Sequence, residues 1–459
     1  MQDFFVAECE GPVHKLIHTA CFLAALSVIP VSSRAQSPTD LSAQTPSPSP
    51  APAAVPTLTL SDALARARTN NPQFQAAVAA FGIARQDRVQ ARAGLLPTVT
   101  YNNSAIYTQP TSGQGFKFIA NNGVREYLSQ GQAHEEIGLA GIAGYQRASA
   151  AQALAAAQEE IAARGLVATV VQTYYGLVVA QHQTANTEQA NLEAQHFLTI
   201  SRQLQKGGEV AYSDVIKAEL QANSSQQALD EAKLSELNAR LALAVLVFPN
   251  FTQQFNVVDD LGAVPALPSV ATVQQLAGKN NPELRAAFAS VNVADKDLLA
   301  ARAGHLPTLA LDYFYGIDAA QFAVKSYGVN NLGYSLAATL NIPIFSWGAT
   351  QSKVKQAEIR QHQAKLELTA AQRQALADLE SFYAEARTAL AQLDVLRSSA
   401  SLAADSLRLT TLRYQAGEAT ALEVVDAQNT LVQSRNALSS GQARYRQALA
   451  NLQTLTGTF

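Results

Sequence analysis

Glu423 and Asp426 stand three residues apart near the C-terminus of the 459-residue chain, a spacing that places both carboxylates on one helix face. By spacing alone this is an ordinary solvated acidic face. No phosphate-binding loop, HExxH, GxSxG or dinucleotide glycine motif accompanies it. Five histidines follow the N-terminal region (His134, His182, His196, His305 and His362), none at metal-ligand spacing. The only methionine is Met1, so no thioether relay for soft metals runs through the chain. The residues therefore predict no enzyme, no cofactor and no bound metal.

Those two carboxylates sit in a chain of unusual make-up. Only 15% of residues are charged, against about 25% in an ordinary soluble protein, while the hydrophobic share is 48%. Ala, Gln, Ser, Thr and Asn fill the gap, which suits long packed helices and polar but uncharged surfaces. A net charge of −3 leaves no basic footprint for nucleic acid. Lys15, the apolar run Leu16 to Ile29 and the small-residue site Ser33-Arg34-Ala35 read as an export signal over residues 1–35. The acidic Asp3, Glu8 and Glu10 suit such a signal poorly and point to initiation further downstream. Both cysteines, Cys9 and Cys21, fall in the expected signal, so no disulfide or lipid-anchored Cys is expected beyond it. Residues 36–56 form a Pro/Ser-rich linker. The best transmembrane candidate, Gly165 to Ala180, is interrupted by Gln172 and Thr173 and reads as a buried bundle helix.

After the linker the sequence repeats. Asn70-Asn71-Pro72 recurs as Asn280-Asn281-Pro282, and Ala91 to Thr98 recurs as Ala301 to Thr308. Gly208-Glu209 and Asp214-Val215 recur as Gly417-Glu418 and Glu423-Val424. Two units follow, over 57–262 and 263–459. Each opens on a helix with a capping pattern, Thr59-x-x-Asp62 or Thr272-x-x-Gln275. An Asn-Pro step, a second helix and a Gly-x-Leu-Pro stop come next.

Beyond each stop, hydropathy alternates with period two. Leu309, Leu311, Tyr313, Tyr315 and Ile317 oppose Thr308, Ala310, Asp312, Gly316 and Asp318; Tyr334, Leu336 and Leu340 oppose Gly333, Ser335 and Thr339. Strands are predicted at about 97–108, 135–144, 307–318 and 332–345. Residues 146–205 and 349–459 contain no proline and predict very long helices, with turns near 207–214 and 414–423. Each strand is about long enough to cross a bilayer when tilted. Four strands cannot close a barrel, and open edges are not tolerated in lipid, so the chain must oligomerise to span a membrane. Tyr101, Tyr107, Tyr315, Tyr327, Tyr334 and the sole Trp347 lie in or beside the strands and suggest interfacial aromatics.

The repeat, the Asn-Pro helix, the Gly-x-Leu-Pro entry and the exit Asn341-Ile342-Pro343-Ile344-Phe345 resemble the TolC family of outer-membrane efflux proteins. So do Tyr174 to Ala180 and the two turns, Gly208 to Val215 and Tyr414 to Ala427. The first unit's strand exit lacks the Pro-Ile-Phe pattern. The resemblance implies a mainly α protein with membrane β: four strands per protomer in a homotrimeric twelve-stranded barrel, continued by a periplasmic helical barrel. It implies passive conduction of substrate, an outer-membrane location in contact with lipid, a periplasmic adaptor protein and an inner-membrane transporter of the RND or ABC type. Glu423 and Asp426 then line the pore as stacked carboxylate rings that favour cations. Asp214 and Tyr414 correspond to the hydrogen-bonded pair that holds the tip shut. Gly208, Glu209, Val210, Gly417 and Glu418 correspond to the adaptor-docking turns. Ala419 stands where the family has arginine, which implies a closed state held less tightly or by other contacts. The rival readings are an exported coiled-coil structural protein, which has no need of amphipathic strand pairs, and a diffusion porin, which carries all its strands in one chain.

Overall fold

The computed structural model describes residues 56–108, 125–326 and 328–458. The expected export signal, all of the linker but Pro56, and Tyr327 lie outside them. In chain order the strands are β1 (Thr57–Leu58), β2 (Thr98–Tyr107), β3 (Arg125–Ile137), β4 (Asn256–Val257), β5 (Thr308–Ala319), β6 (Lys325–Ser326), β7 (Val329–Asn330) and β8 (Leu332–Asn341). The helices are α1 (Leu60–Asn70), α2 (Pro72–Ala93), α3 (Leu139–Gly207), α4 (Tyr212–Val247), α5 (Val270–Asn280), α6 (Pro282–Ala303), α7 (Ala349–Gln415) and α8 (Ala421–Thr456). The two halves repeat helix for helix, each with a short pair, a strand pair and a long pair.

Local chemistry explains the boundaries. Thr59 and Asp62 cap α1 reciprocally. Asn71 and Asn281 cap α2 and α6, each followed by proline at the first helical position. The expected cap at Thr272 lies inside α5; Ser269 is the cap, and its hydroxyl accepts from the Thr272 amide. The 69-residue α3 and 67-residue α7 each extend about 100 Å at 1.5 Å per residue. Among the described residues no helix is long and apolar enough to cross a membrane. The stretch 165–180 is instead core: Leu166, Val170, Tyr174, Leu177 and Val178 are buried. At this level α3 holds the link between the repeats. The Tyr174 hydroxyl donates to the carbonyls of Leu58 and Val258, 3.1 and 2.8 Å away, and burial pushes its pKa up to about 12.

The second strand departs from the expectation at 135–144. It occupies Arg125–Ile137, ends before Gly138, and gives way to α3 at Leu139. Gly141 belongs to the first turn of α3, where a Cβ would approach the Leu95 side chain to 3.0 Å. That glycine serves helix packing, not a strand. The last strand stops at Asn341, four residues short of expectation, because Pro343 cannot continue the ladder.

β2, β3, β5 and β8 form one antiparallel sheet in that order, so β2 and β8 are its edges. The register joins Tyr101, Gly131, Tyr315 and Tyr334 in a single row. One face thus carries Val99, Tyr101, Tyr313, Tyr315, Tyr334 and Leu336, all exposed. The other carries Thr100, Asn102, Gln132, His134, Asp312 and Ser335. In the long-helix region α4 packs on α3, α3 on α8 and α8 on α7, which leaves α4 and α7 as the outer members.

Candidate functional site

The two turns between long helices are built alike. Gly208 closes α3 in the left-handed conformation (φ 80°), with the Glu209 amide bonded to the Leu204 carbonyl. Gly417 does the same after α7 (φ 78°), with the Glu418 amide on the Arg413 carbonyl. Both are Schellman closures, where a glycine avoids the Cβ penalty of positive φ. Glu209, Glu418 and both glycines are exposed, and Val210 is half-buried.

Tyr414 is 1% exposed, with its ring 5.0 Å from Phe197 in an edge contact. Its hydroxyl lies 3.1 Å from Ser201 Oγ on α3. Within the protomer it therefore does not meet Asp214, whose carboxylate instead pairs with Lys217 Nζ at 3.3 Å. Residues 197, 201 and 414 fasten the first long hairpin to the second. Sequence reasoning missed Phe197 and Ser201, because a bond spanning 213 residues leaves no local signal.

Glu423 has a local duty as well. Thr420 caps α8 and accepts from the Glu423 amide, while Glu423 Oε1 accepts from the Thr420 amide at 3.1 Å. Arg413 reaches across the turn, donating to the Glu418 carbonyl at 3.0 Å and lying 3.5 Å from Glu423 Oε2. The amide and hydroxyl of Thr420, then Arg413, hold the Glu423 pKa below its ordinary value. Mutual repulsion among carboxylates crowded in a ring would act in the opposite direction. Thr420-x-x-Glu423 has the capping-box spacing, a local signal that sequence reasoning passed over. Asp426 is exposed one turn further on, on the same side as Glu423.

At the sheet, Asn102 donates to Gln132 at 3.2 Å, Gln132 to Asp312 at 3.1 Å, and His134 Nδ1 lies 2.7 Å from the same carboxylate. This crosslinks three strands along the polar face. The tyrosines expected at an interface divide. Tyr101, Tyr315 and Tyr334 share the mid-sheet row, Tyr107 ends β2, and Trp347 lies beyond β8, 90% exposed and in edge contact with Phe345. Among the described residues no group of three His, Cys, Asp or Glu could hold a metal ion.

The arrangement of sheet, long helices and paired turns is shared with known proteins. The solved outer membrane channel CmeC of Campylobacter jejuni superimposes with a TM-score of 0.76 at 18% identity, covering 87% of this chain and 85% of that one. The protease secretion protein PrtF of Dickeya chrysanthemi is 23% identical over 412 residues, 86% of this chain and 87% of that protein. The outer membrane protein TolC of Vibrio cholerae is 25% identical over 408 residues, 86% of this chain and 89% of that protein. The family described as outer membrane efflux protein matches residues 63–247 and 273–458, one match in each repeat. The chain belongs to the outer membrane efflux protein family.

Proposed function

We propose that three copies of this chain form the outer-membrane channel of a tripartite efflux or type I secretion system. Substrate passes through it from a periplasmic adaptor and an RND or ABC transporter to the exterior, without catalysis by the channel. The observation that carries the reading is the sheet: one apolar exposed face, one polar face and two open edges, joined to helices about 100 Å long. A face of that kind suits lipid, and its polar reverse suits a water-filled lumen. The edge strands β2 and β8 need partners that only further copies can supply in lipid.

The paired turns are the adaptor-docking end, with Gly208, Glu209, Val210, Gly417 and Glu418 as contact residues. Glu423 and Asp426 line the constriction, and exposure of both on one side of α8 supports this. The closed tip is held by Tyr414, with Ser201 as its partner inside the protomer and Asp214 open to a partner across protomers. One of the similar proteins, PrtF, is named for protease secretion, which favours a type I system with a polypeptide substrate.

Planar-bilayer recording tests the constriction. Replacing Glu423 and Asp426 together by Ala should reduce cation preference and weaken block by multivalent cations from the tip side. An unchanged reversal potential and unchanged block would place both residues on a merely solvated face. Bulky residues at Glu209 or Glu418 should abolish export while trimers persist in the membrane; undiminished export would remove these turns from the docking site.

A further inference from the structure

Alternation along the strands puts one aromatic ring on the wrong face. Phe314 shares the polar face with Asp312 and Asp318, and it is the only aromatic there among the described residues of the four strands. It is half-buried and registers between Gln132 of β3 and Ser335 of β8. Gly316, the next residue on that face, registers between Gln130 and Gly333, so two glycines lie side by side beyond the ring. They leave a hollow of about 210 Å³, with Gln130, Phe314, Gly316, Asp318, Gly333 and Ser335 in its lining. That exceeds the roughly 150 Å³ of a cavity that admits benzene. The face around it is anionic. It carries Glu126, Glu136, Asp312 and Asp318, and among the described strand residues no lysine or arginine stands on it.

We propose that this hollow is a binding station for flat cations in transit, seated on the Phe314 ring between Asp312 and Asp318. The inference rests on the channel reading, in which the polar face lines the lumen, and it names a chemical class of cargo. Three observations converge on that class. An aromatic ring carries a negative face and attracts a cation placed over it. Along β5 the ring lies about 7 Å from the level of Asp312 and about 13 Å from that of Asp318, so a guest on it has a carboxylate on either side. The glycine floor brings backbone rather than side chain up to the guest, which favours a flat group over a bulky one. An aromatic amine and the guanidinium of an arginine in an exported polypeptide both offer this chemistry, since guanidinium also stacks on aromatic faces. The rival role for Phe314 is to cover the neighbouring glycines, as aromatic side chains do in other sheets.

The test is block of ion current through the full-length protein in planar bilayers, with the probe added on the side of the sheet. Ethidium, a flat aromatic cation, should reduce the current. Phe314→Leu keeps apolar bulk but removes the ring, and should raise the half-blocking concentration by about threefold or more. Phe314→Tyr keeps the ring and should stay within about twofold of wild type. Asp318→Asn should also weaken the block. The anion 1-naphthalenesulfonate, equally flat, should not block. Arginine amide separates the two sources: block that Phe314→Leu weakens for both probes assigns the station to flat cations including arginine, and block by ethidium alone assigns it to free aromatic cations. Ethidium block that is unchanged in Phe314→Leu, or matched by the anion, overturns the station and leaves the channel reading intact. Loss of heat-stable trimer in Phe314→Leu with unchanged block in the channels that form would likewise overturn it, making the ring a cover for the glycines. A protein that conducts no ions overturns both readings.

Discussion

Tyr414 and Glu423, the two tip residues we propose for the gate, each have a local duty in the fold. A buried tyrosine whose hydroxyl has one partner gives up about 1 kcal/mol when that hydrogen bond is removed. Tyr414→Phe and Ser201→Ala should each loosen the tip and raise single-channel conductance, by similar amounts because they break the same bond. A Ser201→Ala channel with wild-type conductance would show that this contact does not restrain the pore. Glu423 adds a pH dependence with a definite sign. Its folded pKa is depressed, so the cap is intact above the ordinary carboxylate range and is lost as pH falls through the depressed value. Acidification from pH 7 to 5 should therefore leave the first turn of α8 ordered. Fraying should begin only below the ordinary carboxylate range, and Glu423→Gln should remove the dependence. Amide exchange in Glu423 and Val424, corrected for the intrinsic rate, measures it; fraying already at pH 5 would contradict the assignment. Thr420→Ala should cost about 1 kcal/mol at any pH where the cap is present.

Among the elements, β3 and β5 are held at a fixed distance by glycine. A Cβ at Gly316 would collide with the Ser129 carbonyl across the ladder, whereas one at Gly131 would meet the Tyr315 carbonyl at an ordinary 3.8 Å. Gly316→Ala should therefore cut the yield of heat-stable trimer sharply, and Gly131→Ala should leave it near wild type. Equal yields from the two would remove the close approach as a constraint. At the turns, Gly208→Ala and Gly417→Ala should each cost about 1 kcal/mol through positive φ. The elements differed in how plainly the sequence announced them. β8 alternates cleanly and β5 does so except at Phe314, and Pro307 marks the start of their region, so both were legible. β3 was not: its polar face of Gln130, Gln132, His134 and Glu136 carries few of the residues that favour strands, and the glycines that follow it draw attention downstream. The turn glycines and the Asn-Pro caps were legible because their chemistry is local. The Ser201–Tyr414 bond and the pairing of α4 and α7 as outer helices depend on how the two repeats pack, which no local pattern reveals.

At the scale of the whole molecule, one protomer leaves two deficits that a single assembly would cover. Its sheet has two open edges and an exposed apolar face, and its helical layer has two outer members with exposed apolar side chains. A soluble monomer would present both deficits to water, against the tendency of folded monomers to expose only small apolar patches. Threefold closure would bring β2 of one copy to β8 of the next and cover the outer helices as well. The mass of the detergent-solubilised particle, with detergent subtracted by light scattering, tests this closure most directly. The account predicts three protein chains per particle recovered from the outer-membrane fraction; a single-chain particle, stable without detergent, would contradict it.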